Sequence, residues 1–316
     1  MPSFPDAITA GHLRRRDSPR LGTRGPNRQR CAACGFILAI AAMMTFVPTT
    51  AAAQPNAAES AEATSAAPPV QALVGDWNGD GVDTIGLYER ATGKFFLRNS
   101  NSPGAADIVF EFGAAGATIV AVTGDWNGDG VDTIGVVDTS TGVWVLKNTN
   151  AAGAADVAFT YSPGGTRPLV GDWDGSGTET PGFYNAATGQ FFLRNSNSAG
   201  SADLVFTFGG TGSLRPVTGD WNADTVDTIG VVDATAGTRS LRNSNSGGAA
   251  DIAFVFGAGM VPVSGDWNGD GIATAGAFSP ATSTFYLRNS NSSGNADIVL
   301  TLFGPIIFVD GFDPAT

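Results

Sequence analysis

The triplet Gly-Asp-Trp occurs five times, beginning at residues 75, 124, 171, 219 and 265, with spacings of 49, 47, 48 and 46 residues. One unit of about 47 residues therefore recurs from Val70 to Gly304. This recurrence restricts the fold more than any other property of the chain. A unit of this size cannot bury its apolar face alone and has to pack against its own copies.

Within each unit a short apolar run precedes the triplet, as in "VQALV", "TIVAVT", "RPLV", "RPVT" and "MVPVS". A second run follows the acidic loop ("DTIGLYER"), and a Thr-Gly-type turn leads to a third ("FFLRN", "VWVLKN", "TFYLRN"). A polar loop such as "SNSPGA" then introduces a fourth run with strict alternation ("DIVFEFG", "DLVFTFG"). Period-two patterning, Gly/Asn/Asp/Ser turns every 8–12 residues and no helical period predict four short antiparallel strands per unit. The expected fold is all-β, a β-propeller of five four-stranded antiparallel blades, with an open stack of repeated sheets as the alternative. Each copy starts at the same strand and the fifth ends with its own fourth. Closing a ring thus needs no strand from the opposite terminus, unless "PIIFVDGF" (305–312) supplies one.

The loop after each first strand carries the chemistry. Counted from the aspartate of the triplet, blade 1 places Asp76, Asn78 and Asp80 at positions 1, 3 and 5, with Gly81 at position 6. Alternate oxygens of this kind, a glycine for the sharp turn and the carbonyl of Val82 at position 7 suit Ca²⁺, a hard cation that takes six to eight oxygens. The same set recurs as Asp125, Asn127, Asp129 and Val131, and as Asp266, Asn268, Asp270 and Ile272. The third copy keeps Asp172 and Asp174 but has Ser176 at position 5, and the fourth has Thr225 in place of the glycine. The expected order of occupancy is the first two loops, then the fifth, then the third, with the fourth empty because a β-branched residue resists left-handed backbone. The simpler reading is that Asp-Gly turns only shape the strand connections.

These residues, "GDWNGDGVDTIGLY" together with the strand ends "FEFG" and "FTFG", resemble the FG-GAP / VCBS repeats of bacterial surface proteins and integrin alpha-subunit propellers. The resemblance spans all five units. It implies calcium in the loops between first and second strands, and a role in surface binding or adhesion. The family places its last carboxylate at position 9. Here the acid stands at position 8 (Asp83, Asp132, Glu179, Asp227) and threonine at position 9 (Thr84, Thr133, Thr180, Thr228), so the closing ligand is the acid, the hydroxyl or water.

Two other recurrent features have a plain and a functional reading. The tryptophans at 77, 126, 173, 221 and 267 either pack between blades or form a ring of sugar-stacking platforms. The basic residues of the "LRNSNS" loops (Arg98, Lys147, Arg194, Arg242, Arg288) face the aspartate that opens the next strand, or line an outer-edge ligand site. In both cases the packing role is the expected one.

Seven of the fifteen arginines precede residue 31, and an apolar run follows from about residue 35 to 47, ending in Ala51-Ala52-Ala53. That run is short for a membrane span, so residues 1–53 read as a signal peptide with a long basic region. Residues 54–69 then read as a flexible Ala/Ser/Pro linker, 70–304 as the repeat domain and 305–316 as a tail. His12, Cys31 and Cys34 all lie in the signal. Without them, Ser-His-Asp and Cys-His nucleophile systems and His-based zinc sites are excluded. After residue 53, eight arginines and two lysines stand against 27 acids. That balance disfavours nucleic acid and favours divalent cations as partners.

The expected product is a secreted or cell-surface, calcium-stabilised binding or adhesion module for glycans or extracellular proteins, with no catalytic residues and no membrane insertion after signal cleavage. The alternatives are a carboxylate-dependent glycosidase or lyase and a structural spacer. Glu89 and Glu111 are the nearest acids outside the repeated positions.

Overall fold

The computed structural model describes residues 70–164 and 167–303. The expected signal peptide, linker and tail lie outside the described residues. Among the described residues every regular element is a strand, and no helix is long and apolar enough to cross a membrane.

Five antiparallel four-stranded sheets form a five-bladed β-propeller, each strand pairing with its neighbour in sequence. In blade 1 the strands are Val70–Gly75, Thr84–Glu89, Lys94–Leu97 and Ile108–Glu111. The first strands of the other blades are Ile119–Gly124, Arg167–Gly171, Arg215–Gly219 and Val261–Gly265. These five inner strands surround a central channel, lined towards the Gly-Asp-Trp end by Asp83, Asp132, Glu179, Asp227 and Ala273.

Each blade meets the next through its own apolar cluster. Leu73, Tyr88 and Phe95 of blade 1 pack on Ile119, Ile134 and Val136 of blade 2. Trp267, Phe278 and Phe285 of blade 5 pack on Ile85, Leu87 and Phe96 of blade 1, which closes the ring. The five triplet tryptophans are only 3–5% exposed, which removes them as sugar-stacking platforms. A buried aromatic of this size hides about 150–250 Å² of mostly apolar surface, worth about 4–6 kcal/mol at 25 cal/mol per Å².

Closure is also written in hydrogen bonds. The backbone N–H of position 8 donates to the carbonyl of position 1 in the preceding blade, at 2.8 Å for Asp132 to Asp76 and 2.7 Å for Ala273 to Asp220. The fifth bond of this ring, Asp83 to Asp266 at 2.8 Å, joins blade 1 to blade 5. The fourth strand of blade 5, Ile298–Phe303, is longer than its counterparts and adds a short parallel pairing with Gly104–Ala105 of blade 1. The four antiparallel strands of each blade thus come from a single copy, and the sheets close into a ring, not an open stack.

Candidate functional site

The rim loops share one conformation. In blade 1, Oδ1 of Asp76 accepts the backbone N–H groups of Asn78, Gly79 and Asp80 at 3.3, 2.8 and 3.2 Å, and Oδ2 accepts that of Gly81 at 2.7 Å. The side-chain amide of Asn78 donates to Oδ2 of Asp80 at 3.0 Å, and Oδ1 of Asp80 accepts the N–H of Val82. Positions 1, 3 and 5 thus converge on one exposed rim. The arrangement repeats at Asp125, Asn127 and Asp129, with Val131 at position 7, and at Asp266, Asn268 and Asp270, with Ile272 at position 7. In blade 3, Ser176 takes the place of the acid and hydrogen-bonds Asp172, and Asp174 stays apart from that contact.

The fourth loop adopts the same turn without its glycines. Ala223 and Thr225 adopt φ of +60° and +70°, where the other loops have glycine at +71° to +83°. Thr225 still donates its N–H to Asp220 at 2.7 Å, and Asn222 still reaches Asp224 at 2.9 Å. The carboxylate of Asp220 and the ring bond from Ala273 hold the loop to its turn at the cost of backbone strain. The threonine does not deny the loop its shape, and the third loop, not the fourth, lacks the position-5 acid.

Position 8 has a different task from loop closure. Asp132 turns across the blade interface and accepts the backbone N–H of Asp76 at 2.9 Å; Asp83 does the same for Asp266 at 2.7 Å. Glu179 caps Asp125 and Asp227 caps Asp172. The position-9 threonines are engaged as well, Thr84 donating to Gly75 at 3.2 Å. The structure therefore brings Asp76, Asn78 and Asp80 together but places Asp83 and Asp132 outside their own loops. The glycine before each aspartate has its reason here: a Cβ on Gly75 would sit 2.9 Å from Cβ of Asp132, and one on Gly124 would sit 2.8 Å from Cβ of Glu179. This signal was present in the sequence as the glycine of every triplet.

Four position-8 carboxylates therefore ring one end of the channel, with Ala273 in the fifth place, in a cavity of about 380 Å³. Burial pushes each of them up: Asp132 to about 7 and Asp227 to about 6. Glu179 rises to about 9, through burial and then the charges of Asp132 and Asp227. Asp83 rises well above the usual carboxylate range, through burial and then Asp132. Each of the four also accepts a backbone N–H, which makes it a cap between blades.

The remaining candidates resolve simply. Arg98 is wrapped by its own loop, donating to the carbonyls of Ser102 and Ala105 at 2.6 Å each, and stands 3.7 Å from Asp107. Arg194, Arg242 and Arg288 bind their loops in the same way. Glu89 is buried against Thr92, and Glu111 is exposed beside Lys94. They flank Lys94 in strand register and form no catalytic pair.

Calcium chemistry fits the rim in part. In four of the five loops two carboxylates and one amide are hard oxygen donors of the right class. Among the described residues no group of three or more His, Cys, Asp or Glu is placed to hold a metal. A cation on the rim would therefore take its remaining ligands from backbone carbonyl and water.

No family model and no curated protein matches the chain. Among solved structures, a lectin of Agrocybe aegerita described as recognising non-reducing terminal N-acetylglucosamine aligns at a TM-score of 0.38 and 15% identity, over 75% of this chain and 68% of that one. At that similarity it carries no argument about function.

Proposed function

We propose that the chain is a non-catalytic, extracellular binding module of FG-GAP / VCBS type whose rim loops take calcium. The observation that carries the reading is the convergence of positions 1, 3 and 5 in blades 1, 2, 4 and 5. Asp76, Asn78 and Asp80, with their counterparts, would hold the ion and tie each loop into a rigid turn. The ion supplies charge neutralisation to a rim crowded with carboxylates. A non-catalytic role is supported by the acids themselves, since each channel carboxylate is committed to a backbone N–H of the preceding blade. A glycan or protein on an extracellular surface is the ligand class this reading carries forward.

With only two carboxylates per loop the affinity belongs in the range of extracellular modules, about 10⁻⁴–10⁻³ M. A tenfold excess of calcium over Kd then stabilises the fold by about 1.4 kcal/mol per site. Thermal melts with calcium and with chelator should differ by several degrees, and Asp80→Ala, Asp129→Ala and Asp270→Ala should each remove part of the difference. A melting point indifferent to chelator would overturn the calcium reading. Glycan-array screening beside turnover assays on polysaccharides separates binding from catalysis.

A further inference from the structure

The channel has a second mouth, at the opposite end of the inner strands from the rim loops. It opens into a cavity of about 510 Å³ lined by Gln71, Arg90, Arg167 and Arg215 with a largely apolar wall that includes Pro168, Pro216, Pro262 and Phe278. This volume lies in the range of small-molecule sites, where a few polar groups project from apolar walls.

The repeat breaks at this mouth. Four residues before the glycine of each triplet stand Gln71, Val120, Arg167, Arg215 and Val261, so one level of the inner ring carries two adjacent arginines and no acid. The whole region after residue 53 has eight arginines. Arg98, Arg194, Arg242 and Arg288 are wrapped by their own loops, and Arg239 is buried between blades. The other three, Arg90, Arg167 and Arg215, all line this one cavity.

Arg90 is fixed there. It donates to the carbonyl of Ile119 at 2.6 Å and to Gln71 at 3.2 Å, and Gln71 is itself bound to both backbone groups of Ala121. The guanidinium groups of Arg167 and Arg215 have no hydrogen-bond or ion-pair partner among the described residues. Burial and then the charge of Arg215 lower the pKa of Arg167, so the two guanidinium groups stand close enough to repel each other. Two such groups on one side of an acid-free cavity, in a strongly acidic protein, are stabilised by an anion between them. The planar guanidinium fork matches the oxygens of carboxylate, sulfate and phosphate.

We propose that this mouth binds a small oxyanion-bearing ligand, a carboxylate, sulfate or phosphate on a group up to monosaccharide size, with Arg167 and Arg215 as the recognising pair and the proline wall beneath it. The site shares no residue with the rim loops, so it goes beyond the calcium reading and stands without it. Calorimetric titration of the full chain at constant ionic strength tests it, with sodium sulfate, inorganic phosphate, galacturonate and neutral galactose as probes. At least one anion should bind and galactose should not. Preference for galacturonate marks a sugar acid as the ligand, and equal or better binding of the inorganic anions marks a free oxyanion. Arg167→Gln and Arg215→Gln should each weaken binding at least about tenfold, the scale of one charge-assisted pair. Lys94→Gln, on an outer strand, should leave it unchanged. Arg215 is exposed, so its variant keeps the fold, which an unchanged melting point verifies. Absence of binding by all three anions, or binding undiminished in both arginine variants, overturns the proposal. Repeating the titration in chelator distinguishes this result from any failure of the calcium reading.

Discussion

At Thr225 the fold imposes a backbone conformation that its side chain opposes. A β-branched residue at φ +70° costs roughly 1–2 kcal/mol relative to a residue that tolerates left-handed backbone. Thr225→Gly should therefore raise stability by about 1 kcal/mol in urea unfolding, part of the relief being offset by the freedom glycine gains in the unfolded chain. A loss of stability would mean that the threonine makes a compensating contact. The channel acids act in the opposite sense. Asp132, Asp227 and Glu179 have folded pKa values of about 7, 6 and 9, above the ordinary 3.8 and 4.5. The folded state thus binds more protons than the unfolded chain across this interval, and stability falls as pH rises from about 4 towards 9. Asp132→Asn and Glu179→Gln keep an oxygen for the neighbouring N–H and remove the charge. At pH 8 and fixed calcium both should melt higher than the parent, and their melting points should vary less between pH 4 and 9.

At the scale of the element, the seam between blades 4 and 5 differs from the other four. The third strand of blade 4 carries Arg239 where the other blades have Phe95, Trp144, Phe191 and Phe285. Arg239 is 1% exposed, lies over the ring of Phe256 and donates to the carbonyls of Val263 and Gly276 in blade 5. Blade 5 makes room for it with Ala275 and Ala277, where blade 2 has Ile134 and Val136. The two changes compensate. Arg239→Phe and Ala277→Val should each destabilise alone, and the double variant should recover about 1 kcal/mol relative to their sum. Strictly additive losses would show that the two sites are independent. Such pairing explains what the sequence could and could not show. Strand alternation and the triplet period act within a copy, so the blades, the buried tryptophans and the shape of the rim loops were legible. Asp83, Asp132 and Arg239 act on a neighbouring copy, and a sequence read copy by copy assigns them to their own. Arg167 and Arg215 were read only as part of the strands "RPLV" and "RPVT", because their meaning depends on neighbours brought together by closure of the ring.

At the scale of the molecule, the channel is polar along its axis, with carboxylates at one end and guanidinium groups at the other. Among the described residues the ring is closed by side-chain packing and backbone bonds, and the Asp83–Asp266 seam spans 183 residues of sequence. The four strands of every blade follow one another in the chain, and this seam carries the same position-8 bond as the four crossed by a short link, such as residues 112–118 between blades 1 and 2. A circular permutant that joins blade 5 to blade 1 through a link of that length, and opens the chain between blades 2 and 3, should fold to the same propeller with an unchanged circular-dichroism spectrum. Failure of that permutant to fold would mean that the order in which the blades are made, and not only their packing, builds the ring.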